Sequence, residues 1–341
     1  MISVEKLDNE LKQGKLNSIY LLYGEETYFL ETCLKKIKTI FGETKQGINE
    51  IKIDESNINF DLIPNIETPA FGYEKKLIIA RDTGLFKKEG KKKNVSNSEI
   101  IEKISNYIKE NENFIKESVI LIFVEKEVEK NQLYKEIEDK GIICEFQELK
   151  PIELINKLKN ICKAYKVNVD ESTLRYIIEC SGTNMQELIN EIRKLIEYAG
   201  IDGTITKKEI DLLSIKKIDT VIFDLTDNLG KKRIDEALKV LNGLIYQKEP
   251  IQKILIMLYN HFKKLYMIKI AQRENQNIAD ILVLKPTQTF LMTKYKTQAS
   301  FFKEAELKKI IEELINLDYN YKIGKIDINV GLESILCNYC S

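Results

Sequence analysis

The chain has 341 residues, more than one ordinary core holds, and domains of roughly 100–200 residues make two or three the expectation. Lys plus Arg and Asp plus Glu both number 53, so the formal charge is zero, which argues against holding DNA by bulk phosphate neutralisation. Apolar residues make up 43%, but no unbroken run is longer than Val119 to Val124, which falls far short of the ~20 residues a bilayer requires. Met1 to Leu7 carries Glu5 and Lys6 and no signal-like apolar block, so a cytoplasmic location is expected. The six cysteines lie far apart or within apolar patterns, and a disulfide framework is not expected.

Strand and helix patterns alternate through the first part of the chain. Ser3 is placed to cap a helix carrying Leu7 and Leu11. Ile19 to Tyr23 is a short apolar run ending at Gly24, the pattern of a buried strand and a turn. Glu26 to Ile40 predicts a helix with Phe29, Leu30, Cys33, Leu34 and Ile37 on one face. Further strands are predicted at Ile51 to Ile53, Leu77 to Ala80, Val119 to Val124 and Ile142 to Phe146. Helices are predicted between several of them, notably Ile100 to Ile108 and Glu129 to Ile137. Continuous apolar strands separated by helices imply a parallel sheet covered on both faces.

After Lys150-Pro151 the periodicity is almost wholly helical. Ile152 to Tyr165, Glu171 to Cys180 and Asn184 to Tyr198 form one group, and Thr206 is placed to cap a short helix after it. A second boundary is expected near Leu213 to Ile218, followed by at least five helices, one starting after Pro250. The expected organisation is therefore an α/β domain over 1–147 and two all-α domains over 148–212 and 213–341.

A strand, a glycine turn and a helix at the front of an α/β domain is where a nucleotide would bind. A phosphate loop needs several glycines with free N–H groups, then Lys and Ser or Thr. Here the turn reads Gly24-Glu25-Glu26-Thr27, with one glycine, no lysine and two carboxylates that would repel phosphate. Thr27 is read as the cap of the helix that follows. No paired acidic magnesium site follows the Val119 to Val124 strand, which continues into Glu125-Lys126.

These residues carry a resemblance. Ile19 to Glu26 with Tyr28-Phe29-Leu30-Glu31 resembles the opening signature of bacterial clamp-loader delta subunits. Lys75 to Asp82, Leu121 to Glu125, Gly182 to Leu188, Asp224 to Leu229, Ile251 to Lys269 and Asp318 to Lys325 are similar to later parts of the same family, in the same order. The resemblance implies a first domain of AAA+ type (P-loop NTPase-like) with a degenerate nucleotide site, then a helical lid and a helical collar. It implies a protein of the DNA polymerase III holoenzyme that binds the ring-shaped beta sliding clamp and opens it for loading onto primed DNA. ATP hydrolysis then falls to other subunits, and the collar joins this chain to the ATPase gamma/tau subunits and to delta-prime. It implies primer-template DNA as a partner within the complex, no cofactor and no metal. Nucleotidyltransferase activity belongs to the complex rather than to this chain. A helical adaptor unrelated to replication, or a nucleotide-dependent enzyme, are the alternatives from other classes.

The family's clamp contact precedes the third strand, and the matching segment is Thr68 to Tyr73. From the residues alone, Phe71, between Pro69 and Gly72, either packs under its own turn or projects outward to fill a partner's pocket. Ala70 stands where the family often has a larger apolar residue, so Phe71, Tyr73 and Ile66 are expected to carry more of the contact. Lys87, Lys88, Lys91, Lys92 and Lys93 form the one dense basic run, either a solvated loop or a contact to DNA or an acidic partner. Cys337-x-x-Cys340 lacks a second ligand pair for a structural zinc, and His261 is the sole histidine. It is expected to serve packing or surface, and Arg193 and Arg233 to make surface ion pairs.

Overall fold

The computed structural model describes residues 1–87, 95–214, 216–282 and 290–340. By its contacts the chain forms two compact units, Met1–Glu148 and Leu149–Ser341.

In the first unit the elements run α1 (Val4–Lys12), β1 (Ile19–Tyr23), α2 (Thr27–Phe41), β2 (Glu50–Ile53), α3 (Ile58–Glu67) and β3 (Lys76–Arg81). They continue through α4 (Val95–Glu110), α5 (Glu112–Ser118), β4 (Val119–Glu125), α6 (Gln132–Lys140) and β5 (Ile142–Glu145). All five strands are parallel, in the order β2-β3-β4-β1-β5. Every β4 residue is buried, as expected for a strand covered on both faces.

Alternation along each strand divides the side chains between two cores. Ile19 and Leu21 of β1 join Leu121 and Phe123 of β4 on one face, under Leu62 and Ile66 of α3 and Leu133 and Ile137 of α6. Tyr20 and Leu22 point the other way, with Ile120, Ile122 and Val124, against Leu7 and Leu11 of α1 and Leu30, Leu34 and Ile37 of α2. Each such fully buried Leu or Ile contributes about 1.5–3 kcal/mol of transfer free energy, so register errors, which would turn these faces inside out, are strongly disfavoured.

Several boundaries differ from expectation for local reasons. The second helix begins at Thr27, because Glu26 supplies the cap by accepting the Tyr28 N–H at 3.2 Å; Thr27 is the first helical residue and not the cap. The predicted Glu129 helix begins at Gln132, because Asn131 caps it through the Tyr134 N–H at 3.0 Å. Ser3 caps α1 as the sequence implies.

The second unit is helical apart from one two-stranded parallel ribbon, β6 (Asn168–Val169) with β7 (Thr204–Ile205), which the sequence does not announce. Around the ribbon lie α7 (Pro151–Ala164), α8 (Glu171–Ser181), α9 (Met185–Ala199) and α10 (Lys207–Leu213). Thr206 caps α10, its side chain accepting from the Lys208 N–H, and its own N–H donates to the Glu209 carboxylate at 2.8 Å. Next come α11 (Ile218–Gly230), α12 (Ile234–Tyr246), α13 (Ile251–Arg273), α14 (Ile278–Leu282), α15 (Phe290–Ser300), α16 (Glu304–Lys322) and α17 (Ile328–Cys340). Their shared core centres on α13, whose Ile254, Leu258, Phe262, Leu265 and Ile268 are all buried. The Thr220 hydroxyl donates to the Glu179 carbonyl at 2.6 Å, and Lys294 meets the Glu179 carboxylate at 2.7 Å, so α11 and α15 are both tied to α8.

Candidate functional sites: a closed turn and an exposed aromatic

In an open parallel sheet the natural ligand crevice lies at the carboxyl ends of the strands, where strand order reverses. Here that point is the end of β1, which lies between β4 and β5. Gly24 occupies it at φ +134°, a conformation open to glycine. A Cβ on residue 24 would stand 2.2 Å from the carbonyl oxygen of Phe146. The main chain leaving β5 therefore runs directly across the turn.

The N–H groups of residues 24, 26, 27 and 28 are consumed internally. Gly24 donates to the Glu125 carbonyl at 3.2 Å, Glu26 to the Phe146 carbonyl at 3.0 Å and Thr27 to the Glu25 carbonyl at 3.0 Å. Tyr28 donates to the Glu26 carboxylate at 3.2 Å. A phosphate cradle needs such donors aimed outward. Glu26 is itself buried, and burial pushes its carboxyl above the usual range despite the Tyr28 N–H. Glu125, at the end of β4, is also buried and raised by burial; one of its oxygens accepts from both the N–H and the hydroxyl of Thr83, at 2.9 and 2.5 Å. Among the described residues no group of three His, Cys, Asp or Glu side chains is placed to hold a metal.

The segment before β3 is built differently. The Thr68 N–H and hydroxyl both donate to the Pro64 carbonyl, at 3.0 and 2.5 Å, which ends α3. Lys76, the first residue of β3, is buried and donates its ammonium to the Asn65 carbonyl at 2.8 Å, in the last turn of α3. A cation there satisfies a terminal carbonyl and faces the negative end of the helix dipole. Burial holds the Lys76 pKa below the ordinary lysine value.

Between these anchors, the Tyr73 N–H donates to the Ala70 carbonyl at 2.7 Å, closing a four-residue turn with Gly72 at φ +82° in its third position. That glycine is the signature of a type II turn, which leaves the second residue at the corner. The corner residue is Phe71, 72% exposed. It does not pack under its own turn. Ala70 and Tyr73 flank it half-buried. Ile66 departs from expectation: it is 1% exposed and belongs to the core with Ile58 and Leu62, so it supports the turn from beneath and offers no surface.

The remaining candidates are dispersed. Lys87 is exposed and paired with Glu55 at 2.9 Å, while Lys88, Lys91, Lys92 and Lys93 lie outside the described residues. Cys337 is exposed on α17. His261 is a packing residue, with Nε2 2.8 Å from the Gln298 side-chain oxygen. Three features escape sequence reasoning: the Phe146 main chain over Gly24, the Lys76 tie, and the Thr83–Glu125 pair. Only the last leaves a trace, as a carboxylate ending an otherwise apolar strand.

The strand order and the strand–turn–helix at β1 define an open, parallel α/β domain, followed by helical structure. A family model described as DNA polymerase III, delta subunit matches residues 20–147, and one described as that subunit's C-terminal domain matches residues 219–339. The chain belongs to the DNA polymerase III delta subunit family. The DNA polymerase III subunit delta of Bacillus subtilis is 25% identical over 329 residues, spanning 96% of this chain and 94% of its own length. A probable DNA polymerase III subunit delta of Aquifex aeolicus is 28% identical over 309 residues, spanning 88% of this chain and 85% of its own. A solved structure of a Bacillus subtilis DNA clamp loader delta protein has the same fold, with a TM-score of 0.68 at 24% identity over 99% of both chains. Among the described residues no helix is long and apolar enough to cross a membrane.

Proposed function

We propose that this chain is the clamp-loader subunit that grips the beta sliding clamp, with the Ala70–Tyr73 turn as the gripping element. The carrying observation is Phe71: a large aromatic held outward at the corner of a glycine-closed turn, anchored by Lys76 on one side and Thr68 on the other. Such a side chain loses little freedom on binding and buries a large apolar area in a partner's pocket. Tyr73 and Ala70 frame it. Holding one clamp interface open then lets DNA enter the ring.

The chain contributes grip and not hydrolysis. Its turn donors at residues 24, 26, 27 and 28 are already spent, which supports a subunit that leaves ATP to other subunits of the loader. In this reading residues 148–212 act as a lid and 213–341 as the collar that joins those neighbours, in the cytoplasm, with primer-template DNA held by the assembled complex. Neither cofactor nor metal has a role.

The test is the affinity of full-length Phe71→Ala for the sliding clamp from the same genome. A loss of 10-fold or more is expected, the scale of an anchor residue, with the melting temperature unchanged because Phe71 is exposed. Unchanged affinity would remove the turn from the interface.

A further inference from the structure

Helix α8 is finished by residues from a later part of the chain. The last carbonyls of a helix find no partner within it. The Ile178 carbonyl takes the Gly182 N–H at 2.8 Å, a local closure. The next two are closed from α11. The Glu179 carbonyl accepts the Thr220 hydroxyl at 2.6 Å, and the Cys180 carbonyl accepts the Lys217 N–H at 2.8 Å. Lys217 is the N-cap residue of α11 and Thr220 lies in its first turn. The end of one helix and the start of another therefore share a cap.

Side chains cross the same junction. Lys216, in the connection between α10 and α11, places its ammonium 3.2 Å from Asp211 of α10 and 3.5 Å from Asp224 of α11. It also stands 5.5 Å from the centre of the Tyr176 ring of α8, whose hydroxyl donates to Asp211 at 2.6 Å. Lys217 reaches Glu187 of α9 at 2.6 Å, and Lys294 of α15 reaches Glu179 at 2.7 Å. The Lys217 ammonium lies 2.8 Å from where a Cβ on Gly182 would stand, so it faces the negative end of the α8 dipole. These pairs are partly exposed, and one such pair alone contributes little. Here several of them surround two main-chain carbonyls that have their donors in α11, and the same few residues serve more than one bond.

We infer that this junction is a clasp: Lys216, Lys217 and Thr220 bind the helices of residues 151–213 to those that follow, so that the two groups turn as one rigid body. The names lid and collar rest on the proposed function, but the clasp itself depends on no partner. Its consequence in an assembled loader is that the lid keeps one angle to the collar, and fixing the collar fixes the lid with it.

The experiment reads the distance distribution between spin labels at Ile201→Cys and Tyr246→Cys in the full-length chain, in a Cys337→Ser/Cys340→Ser background. Both label positions are exposed, and Cys33, Cys144, Cys162 and Cys180 are buried. A single narrow distribution is expected. Lys216→Met/Thr220→Val is expected to broaden it about two-fold or more, because it removes the shared cation and one of the two α11 donors. Lys217→Glu is expected to broaden it as well, by setting a second carboxylate against Glu187. Exchanging the charges with Lys217→Glu/Glu187→Lys is expected to restore the narrow width, which separates loss of the clasp from loss of the fold; circular dichroism checks helical content throughout. A broad distribution before any of these changes overturns the inference. A variant that leaves the width unchanged removes its residues from the clasp, and if both do so, packing alone holds the two groups and the inference falls. Width that the exchange does not restore, with helical content intact, excludes the Lys217–Glu187 pair.

Discussion

The N–H of Glu26 donates to the carbonyl of Phe146 at 3.0 Å, and the same carbonyl fills the space beside Gly24 where any side chain would have to go. The chain thus closes its own nucleotide turn with its own backbone. Glu25 and Glu26 make the place electrostatically hostile to phosphate, and the Phe146 carbonyl makes it geometrically occupied.

Gly24→Ala therefore sets a methyl group 2.2 Å from a main-chain oxygen at a φ of +134°. The backbone strain alone costs on the order of 1–3 kcal/mol, and the clash adds to it because backbone cannot rotate away. The expected result is a loss of at least about 2 kcal/mol in urea unfolding of the first unit.

ATP with magnesium is expected to leave the melting temperature of the wild-type chain unchanged. A ligand at 100 times its dissociation constant would add about 2.7 kcal/mol, a shift that a melting curve reads easily. A measurable upward shift would mean that the turn opens and that its donors become available.

The sheet was legible because its strands are nearly continuous apolar runs: Ile19 to Leu22 and Val119 to Val124 admit few other readings. Helix α2 was legible from its one-sided stripe. Helix α3 was not, since Pro64 reads as a breaker and only Ile58, Leu62 and Ile66 mark its inner face. Exposure of Phe71 was half legible: Gly72 announces a turn, but the choice between packing inward and pointing outward depends on the Ala70–Tyr73 bond. The occupant of the turn at Gly24 left no trace at all, because main-chain atoms of Phe146 do the filling and any residue could supply them. The role of Lys76 also left no trace, since nothing in the pattern around it announces an ammonium buried on the Asn65 carbonyl.

Replacing that lysine separates position from contact. Lys76→Met keeps the length and apolar stem but leaves the Asn65 carbonyl without its donor. Loss of one buried, charge-assisted bond costs about 1–3 kcal/mol. The expected outcome is a lower urea midpoint together with weaker clamp binding, since the end of α3 and the turn after it lose an anchor. Restoring a cation with Lys76→Arg is expected to recover less than full affinity, because a planar guanidinium does not reproduce the compact ammonium at a buried site. Clamp affinity equal to wild type in Lys76→Met would show that Thr68 alone positions the turn.

The last prediction concerns pH, and the sole histidine makes it clean. The His261 ring is buried, with its edge against Phe223 at a centroid distance of 4.5 Å and an interplanar angle of 90°. Gln298 donates its amide to the Phe223 carbonyl at 2.8 Å, which turns its oxygen toward Nε2 and places the imidazole proton on that nitrogen. Burial, with a smaller push from Lys264, lowers the His261 pKa to about 4, while the Gln298 bond works in the opposite direction. In the unfolded chain the ring returns to about 6.5. Above that value both states are neutral and stability is complete. As pH falls from about 6.5 toward 4 the unfolded chain takes up a proton that the folded chain refuses, so stability declines, by at most about 3 kcal/mol, and the decline ends once the folded ring also protonates. The single histidine C2 proton resonance is therefore expected to stay flat between pH 8 and 5, while the second unit keeps its stability down to about pH 6.5 and loses it below. A titration midpoint near 6.5 would mean that water reaches the ring and that the Phe223–Gln298–His261 relay does not hold in solution.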